Sequence, residues 1–378
     1  MCYKSTSYVR LKVLLISLML AACGKPSVSV TPAAIATESF PPTSTPQPKD
    51  TTSRIDKILA LHTERETFTG AVLVARNGEI LLGQGYGWAD RENQIVNTSQ
   101  TKYRLGSITK QFTAMAILIL KTQGKLDVQE PICPYIPECP ASWHEITIHH
   151  LLSHTSGIPD LTEFPDFDTF KARPSPPEQT IELFKDKSLD FQPGKRWSYS
   201  NSGYILLGYI IEQIAGQSYE MFLQKNIFDR LQMTDTGYDH NDSSLATGYT
   251  GINSHWEKPE YIDMTLPYAA GGLYSTVEDL YRWDQALYTE QLVSEASLDL
   301  MFTSHAKMTM NGLGYGYGWF VGKMNNHQAV SHGGGIDGFI TEIRRYSDDK
   351  VTIIILSNHQ TTNVPQIADE IASVVFEK

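Results

Sequence analysis

From Arg54 to Thr67 (RIDKILALHTERET) the apolar residues Ile55, Ile58, Leu59 and Leu61 fall three and four positions apart, which predicts an amphipathic helix. Two short apolar runs follow in GAVLVARNGEILLGQGYGWAD, on either side of Asn77-Gly78, the strongest short hairpin signal. The far end mirrors this order. Residues 338–346 (GFITEIRRY) and 351–357 (VTIIILS) read as strands joined by a Ser-Asp-Asp-Lys turn, and residues 364–378 read as a helix. Helical periodicity dominates the middle, over 107–123, 147–153, 202–215, 219–230 and 276–288. Strands at both ends with helices between predict an α+β fold. It is an antiparallel sheet flanked by N- and C-terminal helices, with an all-helical region inserted over roughly 125–265.

The first residues follow a different pattern. Lys4, Arg10 and Lys12 precede an apolar run, Val13 to Leu20, that is too short to span a bilayer. It ends in Leu20-Ala21-Ala22-Cys23, which resembles the lipobox of bacterial lipoproteins, where the cysteine is acylated. Residues 1–23 are therefore expected to be a lipoprotein-type signal peptide lipidated at Cys23, with an ordinary secretory peptide as the alternative. Residues 24–53 hold six Pro and eleven Ser/Thr and no apolar periodicity, which predicts a disordered tether. The folded domain is expected over 54–378, outside the cytoplasm and lipid-anchored to a bacterial membrane, or else secreted or periplasmic. In such a compartment Cys133 and Cys139 can pair; two free thiols are the alternative.

Composition narrows the function. The 378 residues are 41% apolar, enough for a large core, and 31 Lys+Arg against 42 Asp+Glu give a net charge of −11. An acidic balance argues against nucleic acid as a partner. Oligomeric state is not legible.

Three elements could carry chemistry. Ser107-Ile108-Thr109-Lys110 is an S-x-x-K that opens a buried helix; residues three apart share a helix face, and the helix start offers free N–H groups for an oxyanion. The same pattern at Ser99–Lys102, Ser304–Lys307 and Ser347–Lys350 lies in turn-like contexts and is assigned to solvent. Tyr199-Ser200-Asn201 is the only Y-x-N among nineteen tyrosines. His332-Gly333-Gly334-Gly335 precedes a strand and permits close backbone approach. Read singly, each has a bland alternative: an N-cap serine with a surface lysine, a packing tyrosine, a glycine turn with a solvated histidine. No G-x-S-x-G or H-E-x-x-H occurs. His149, His150 and His154 lack an acidic partner at ligand spacing, so no metal and no cofactor are expected. Gly312 to Trp319 reads as strand, and Tyr268 and Trp319 as core before pocket.

In the order S-x-x-K, Y-x-N and H-G-G, the three elements resemble the serine hydrolases related to class C β-lactamases, penicillin-binding DD-peptidases, D-aminopeptidases and family VIII esterases. LLSHTSGIPD (151–160), FQPGKRWSYSNSGY (191–204) and AAGGLYSTVEDLYRW (269–283) are similar to that family too. The resemblance implies a β-lactamase/transpeptidase-like fold and an acyl-enzyme on Ser107, with Lys110 as base and Tyr199 as proton carrier. It implies that Asn201, His332, Gly333, Gly334 and Gly335 bind substrate, with the N–H groups of Ser107 and Gly335 forming the oxyanion hole. The expected substrate is a small molecule or cell-wall peptide with an amide or ester bond. The alternatives are a β-lactamase proper or a non-catalytic peptidoglycan- or partner-binding module. His332 stands where class C β-lactamases carry a lysine, which tells against efficient β-lactamase action. The strand over 332–340 should form one wall of the site.

Overall fold

The apolar runs from the two ends of the chain meet in the middle of one sheet. The computed structural model describes residues 48–251, 256–308 and 312–377. Its main strands are β1 (Gly70–Arg76), β2 (Glu79–Tyr86), β3 (Ala306–Lys307), β4 (Gly314–Tyr315), β5 (Phe320–Met324), β6 (His327–Ile336), β7 (Phe339–Tyr346) and β8 (Val351–Ser357). They lie in the order β2-β1-β8-β7-β6-β5-β4-β3, each antiparallel to its neighbours. Asn77 and Gly78 both take positive φ, 53° and 81°, as a two-residue hairpin turn of the primed type requires.

Strand β1 is buried from Gly70 to Ala75 and β8 along its whole length, and both are mostly apolar because both faces are covered. Val72, Val74, Ile353 and Ile355 pack with Ile55 and Leu59 of helix α1 (Pro48–Glu64) and with Ile367 and Ile371 of the C-terminal helix (Val364–Phe376). Ala71, Leu73, Ile354 and Leu356 face the helical region, whose centre is α2 (Thr109–Thr122), and α2 is buried from Thr109 to Leu120. Next to it lies α3 (Asn201–Ala215), closed by Gly216 at φ 64°. Each of these Val, Leu and Ile side chains contributes about 1.5–3 kcal/mol by leaving water, so the sheet is held from both sides.

Several boundaries differ from expectation. Helix α1 begins at Pro48, not 54, so part of the segment expected as tether is helical; proline is tolerated in a first turn, and Asp50 there favours the helix dipole. The segment 332–340 is not one strand, because Asp337 and Gly338 (φ 84°) turn the chain between β6 and β7. The helix expected over 219–230 is Tyr219–Leu223, a widened turn, and Asp229–Leu231. Strand β5 and the helix Glu295–Phe302 were not expected. Tyr268 and Trp319 are core side chains. The signal segment, Cys23 and residues 24–47 lie outside the described residues. Among those described, no helix is long and apolar enough to cross a membrane.

Candidate active site

Glycine decides where the site forms. Gly106 takes φ 53°, which turns the chain from the short strand Tyr103–Arg104 into a helical turn that runs on as α2. A side chain there would stand 2.9 Å from the backbone N and O of Gly335. One at Gly334 would stand 1.9 Å from the Leu105 carbonyl. Thr341 Oγ1 donates to that carbonyl at 2.8 Å. The end of β6 is thereby fixed against the start of α2, with the backbone of Gly335 beside Ser107. A methyl group at either glycine has nowhere to go.

Ser107 is half-buried, and one turn on Lys110 is fully buried. Lys110 Nζ lies 3.1 Å from Ser107 Oγ, 2.8 Å from Asn201 Oδ1 and 2.8 Å from the Ala270 carbonyl. The last two can only accept, so Nζ donates to both. A neutral amine then has one lone pair left, aimed at the Ser107 hydroxyl. Burial favours that form: it pulls Lys110 down from 10.5 to about 7, partly opposed by the charge of Asp160. Tyr199 completes the group. Its hydroxyl lies near Ser107, and Lys110 Nζ sits 4.8 Å from its ring centre. Burial raises the Tyr199 phenol, so it stays protonated at neutral pH, although the nearby Ser107 hydroxyl works the other way.

Asp160 was not singled out by sequence reasoning. It accepts from the Asn201 backbone N–H at 3.2 Å and from Asn201 Nδ2 at 3.0 Å, which fixes the amide with its oxygen toward Lys110. The signal was available only as the last residue of LLSHTSGIPD. Replacing Asp160 with Asn removes a negative charge that favours the Lys110 ammonium. The acid limb of kcat/KM is expected to move to lower pH, with kcat down about 10- to 100-fold as Asn201 loses its anchor. Unchanged pH–rate profiles would count against this role.

His332, expected to bind substrate, is 2% exposed, and both its ring nitrogens have partners inside the protein. Nδ1 donates to the Gly333 carbonyl at 2.6 Å, so Nε2 accepts from the Tyr315 hydroxyl at 3.0 Å. Burial, then the charge of Lys110, pushes it down from 6.5 to about 3. A ring in that state carries no charge for a substrate carboxylate. His149 is likewise lowered to about 4 by burial. A histidine held below its ordinary value stabilises the fold fully above pH 6.5, and the contribution is lost as pH falls from there. Acidification from pH 6.5 to 4.5 should cost about 2–3 kcal/mol for His332 alone. The raised carboxyls of Asp279 and Glu342 lean the other way. Urea midpoints at pH 7.5, 6 and 4.5 check this; a flat series would contradict it.

A cavity of about 240 Å³ opens over Ser107, Asn201 and Gly335. Its wall is mainly apolar, with Leu161, Phe167 and Ile262 among the lining, and Asp337 is the charged side chain on it. Lys110, His332 and Gly334 are buried and Tyr199 and Gly333 part-exposed, and none of the five lines the cavity. The other S-x-x-K lysine at 102 pairs with Asp235, and Ser99 donates to Glu278. Cys133 and Cys139 are joined by a disulfide.

A family model described as Beta-lactamase matches residues 55–376. The chain belongs to the beta-lactamase family. It is 34% identical over 301 residues to PbpX of Bacillus subtilis (strain 168), covering 78% of this chain and 72% of that one. The octameric penicillin-binding protein homologue from Pyrococcus abyssi superposes with TM-score 0.75 at 29% identity, covering 86% of this chain and 77% of that one. The penicillin binding protein from Bacillus halodurans gives 0.73 at 26%, over 85% and 98%. This beta-lactamase-family chain is a hydrolase with the family's fold: an antiparallel sheet carrying terminal helices on one face and the helical region on the other.

Proposed function

We propose that the protein is a serine hydrolase that forms an acyl-enzyme on Ser107 with a small ester or amide, or with a peptide of cell-wall origin. The observation that carries this is the Lys110 arrangement: Nζ donates to two carbonyl oxygens and lies 3.1 Å from the Ser107 hydroxyl, which leaves the lone pair of the neutral amine for the nucleophile. Ser107 Oγ attacks the carbonyl carbon while its proton passes to Lys110 Nζ. The N–H groups of Ser107 and Gly335 receive the developing oxyanion. When the C–O or C–N bond breaks, Tyr199 gives its proton to the leaving group and regains one from Lys110. Water then attacks the acyl carbon, losing its proton along the same route, and Ser107 is released. No cofactor takes part in this scheme.

The cavity favours an uncharged acyl group. Its walls are mainly apolar, its charged side chain is the acid Asp337, already paired with Lys171, and His332 supplies no cation. β-Lactams and D-alanyl-D-alanine peptides bear a carboxylate, so both should turn over more slowly than a neutral ester. Two features support a position outside the cytoplasm: the resemblance of Leu20–Cys23 to a lipobox, and likeness to proteins named penicillin-binding. In this reading Cys23 carries the lipid and the residues up to the start of α1 form the tether.

The test is a comparison of substrates on the purified full chain: a chromogenic short-chain ester, a D-amino acid p-nitroanilide, a D-alanyl-D-alanine peptide and a chromogenic cephalosporin. The ester is expected to have the highest kcat/KM. Faster turnover of the cephalosporin would reverse the assignment in favour of a β-lactamase, and no turnover of any would favour a binding module.

A further inference from the structure

His154 was weighed in the sequence only as one of three histidines that could hold a metal. The structure puts it elsewhere. It is 1% exposed and takes φ 58°, in the left-handed region. Its backbone carbonyl accepts from the N–H of Ser198 at 3.0 Å. Its ring Nδ1 accepts from the N–H of Ser200 at 3.1 Å. Both chain neighbours of Tyr199 are therefore bonded to this one residue. The ring itself lies 4.3 Å from the Tyr199 ring, centre to centre, tilted by 35°. Tyr315 and Tyr204 stand at 4.6 and 5.1 Å around it.

We infer that His154 is the positioning residue that sets the Tyr199 hydroxyl against Ser107. Three contacts fix Tyr199: the peptide N–H groups on each side and the face of its ring. No apolar side chain could provide the Nδ1 contact, and few residues tolerate the left-handed backbone. The ring must be neutral for Nδ1 to accept, which places its proton on Nε2. Nε2 is buried without a partner among the described residues. Retaining a donor with no acceptor is unfavourable, and is explained if the residue is there for Nδ1. Burial and the neighbouring Lys110 and His332 all disfavour the imidazolium.

This inference rests on Tyr199 as the proton carrier, and the experiment separates the two. Asparagine tolerates the same backbone and can place its carbonyl oxygen near the position of Nδ1, whereas glutamine places its amide near Nε2. On a chromogenic ester, with folding checked by circular dichroism, His154→Asn is expected to keep kcat within about threefold, while His154→Gln loses about 100-fold in kcat with KM little changed. His154→Ala serves as the second acceptor-less variant if the Gln protein does not fold. In a Tyr199→Phe background the same Gln or Ala change should cost less than about threefold, since no hydroxyl remains to be positioned. Equal losses in Asn and Gln, or a full further loss in the Tyr199→Phe background, would overturn the positioning role while leaving Tyr199 in place. Full activity in Tyr199→Phe alone would overturn the proton-carrier reading and this inference with it.

Discussion

Replacing Ser107 with Ala should abolish ester hydrolysis, with kcat falling by about a million-fold, as when a nucleophile is removed from a serine hydrolase. Its neighbours Asn201 and Tyr199 are poor nucleophiles. Asn201 is an amide held by Asp160, and Tyr199 is a phenol that burial keeps protonated. The fold should be unaffected. Ser107 is half-buried, and its loss removes one hydrogen bond to Lys110, so stability should change by no more than about 1 kcal/mol. Steady-state kinetics and a thermal melt measured together check both halves. A tenth of the activity surviving in a folded Ser107→Ala protein would mean that another residue attacks.

Lys110 gives the second large effect, in two forms. The first is the pH profile of the unaltered enzyme. Only the neutral amine can take the Ser107 proton, and burial brings its titration down to about 7. Below that value kcat/KM should fall by about tenfold per pH unit, and above it the rate should level off. The direction is fixed by the base being the deprotonated form. His332 cannot produce this limb, since it is held at about 3. The second form is Lys110→Met, which keeps the apolar stem and removes the base. It should lower kcat by about 10³- to 10⁴-fold at pH 8 and abolish the acid limb. Lys110→Met also leaves Asn201 Oδ1 and the Ala270 carbonyl without their donor, so part of the loss comes from a displaced Asn201. Persistence of a limb near 7 in Lys110→Met would assign it to another group.

The fold was legible where period and turn chemistry agree. The Asn77-Gly78 hairpin, the buried helix after Ser107 and the two C-terminal strands all carry strong local signals, and they form the sheet and the helix that position Ser107. Ser107, Lys110, Tyr199 and Asn201 were legible for the same reason, since each pair is set by local spacing on a helix or at a helix start. What escaped depends on contacts between distant segments. Asp160 meets Asn201 across 41 residues and His154 meets Ser200 across 46. A lone carboxylate or histidine in a loop does not announce such a partner. The burial of His332 was not legible because burial is a tertiary property; the glycines beside it suggest an open strand end, whereas the ring turns inward to Tyr315. The early start of α1 reflects the same limit, since Pro48 and the threonines after it read as tether until Thr52 Oγ1 is seen donating to the Leu81 carbonyl.

The most direct measurement is to catch the intermediate. The full-length protein is mixed with an activated ester of slow turnover, or with a penicillin, quenched in acid within the first turnover and mapped by mass spectrometry. The account predicts one added acyl group, located on Ser107 and missing from Ser107→Ala. An adduct on another residue, or steady ester turnover with no acyl group on Ser107 at any quench time, would contradict it.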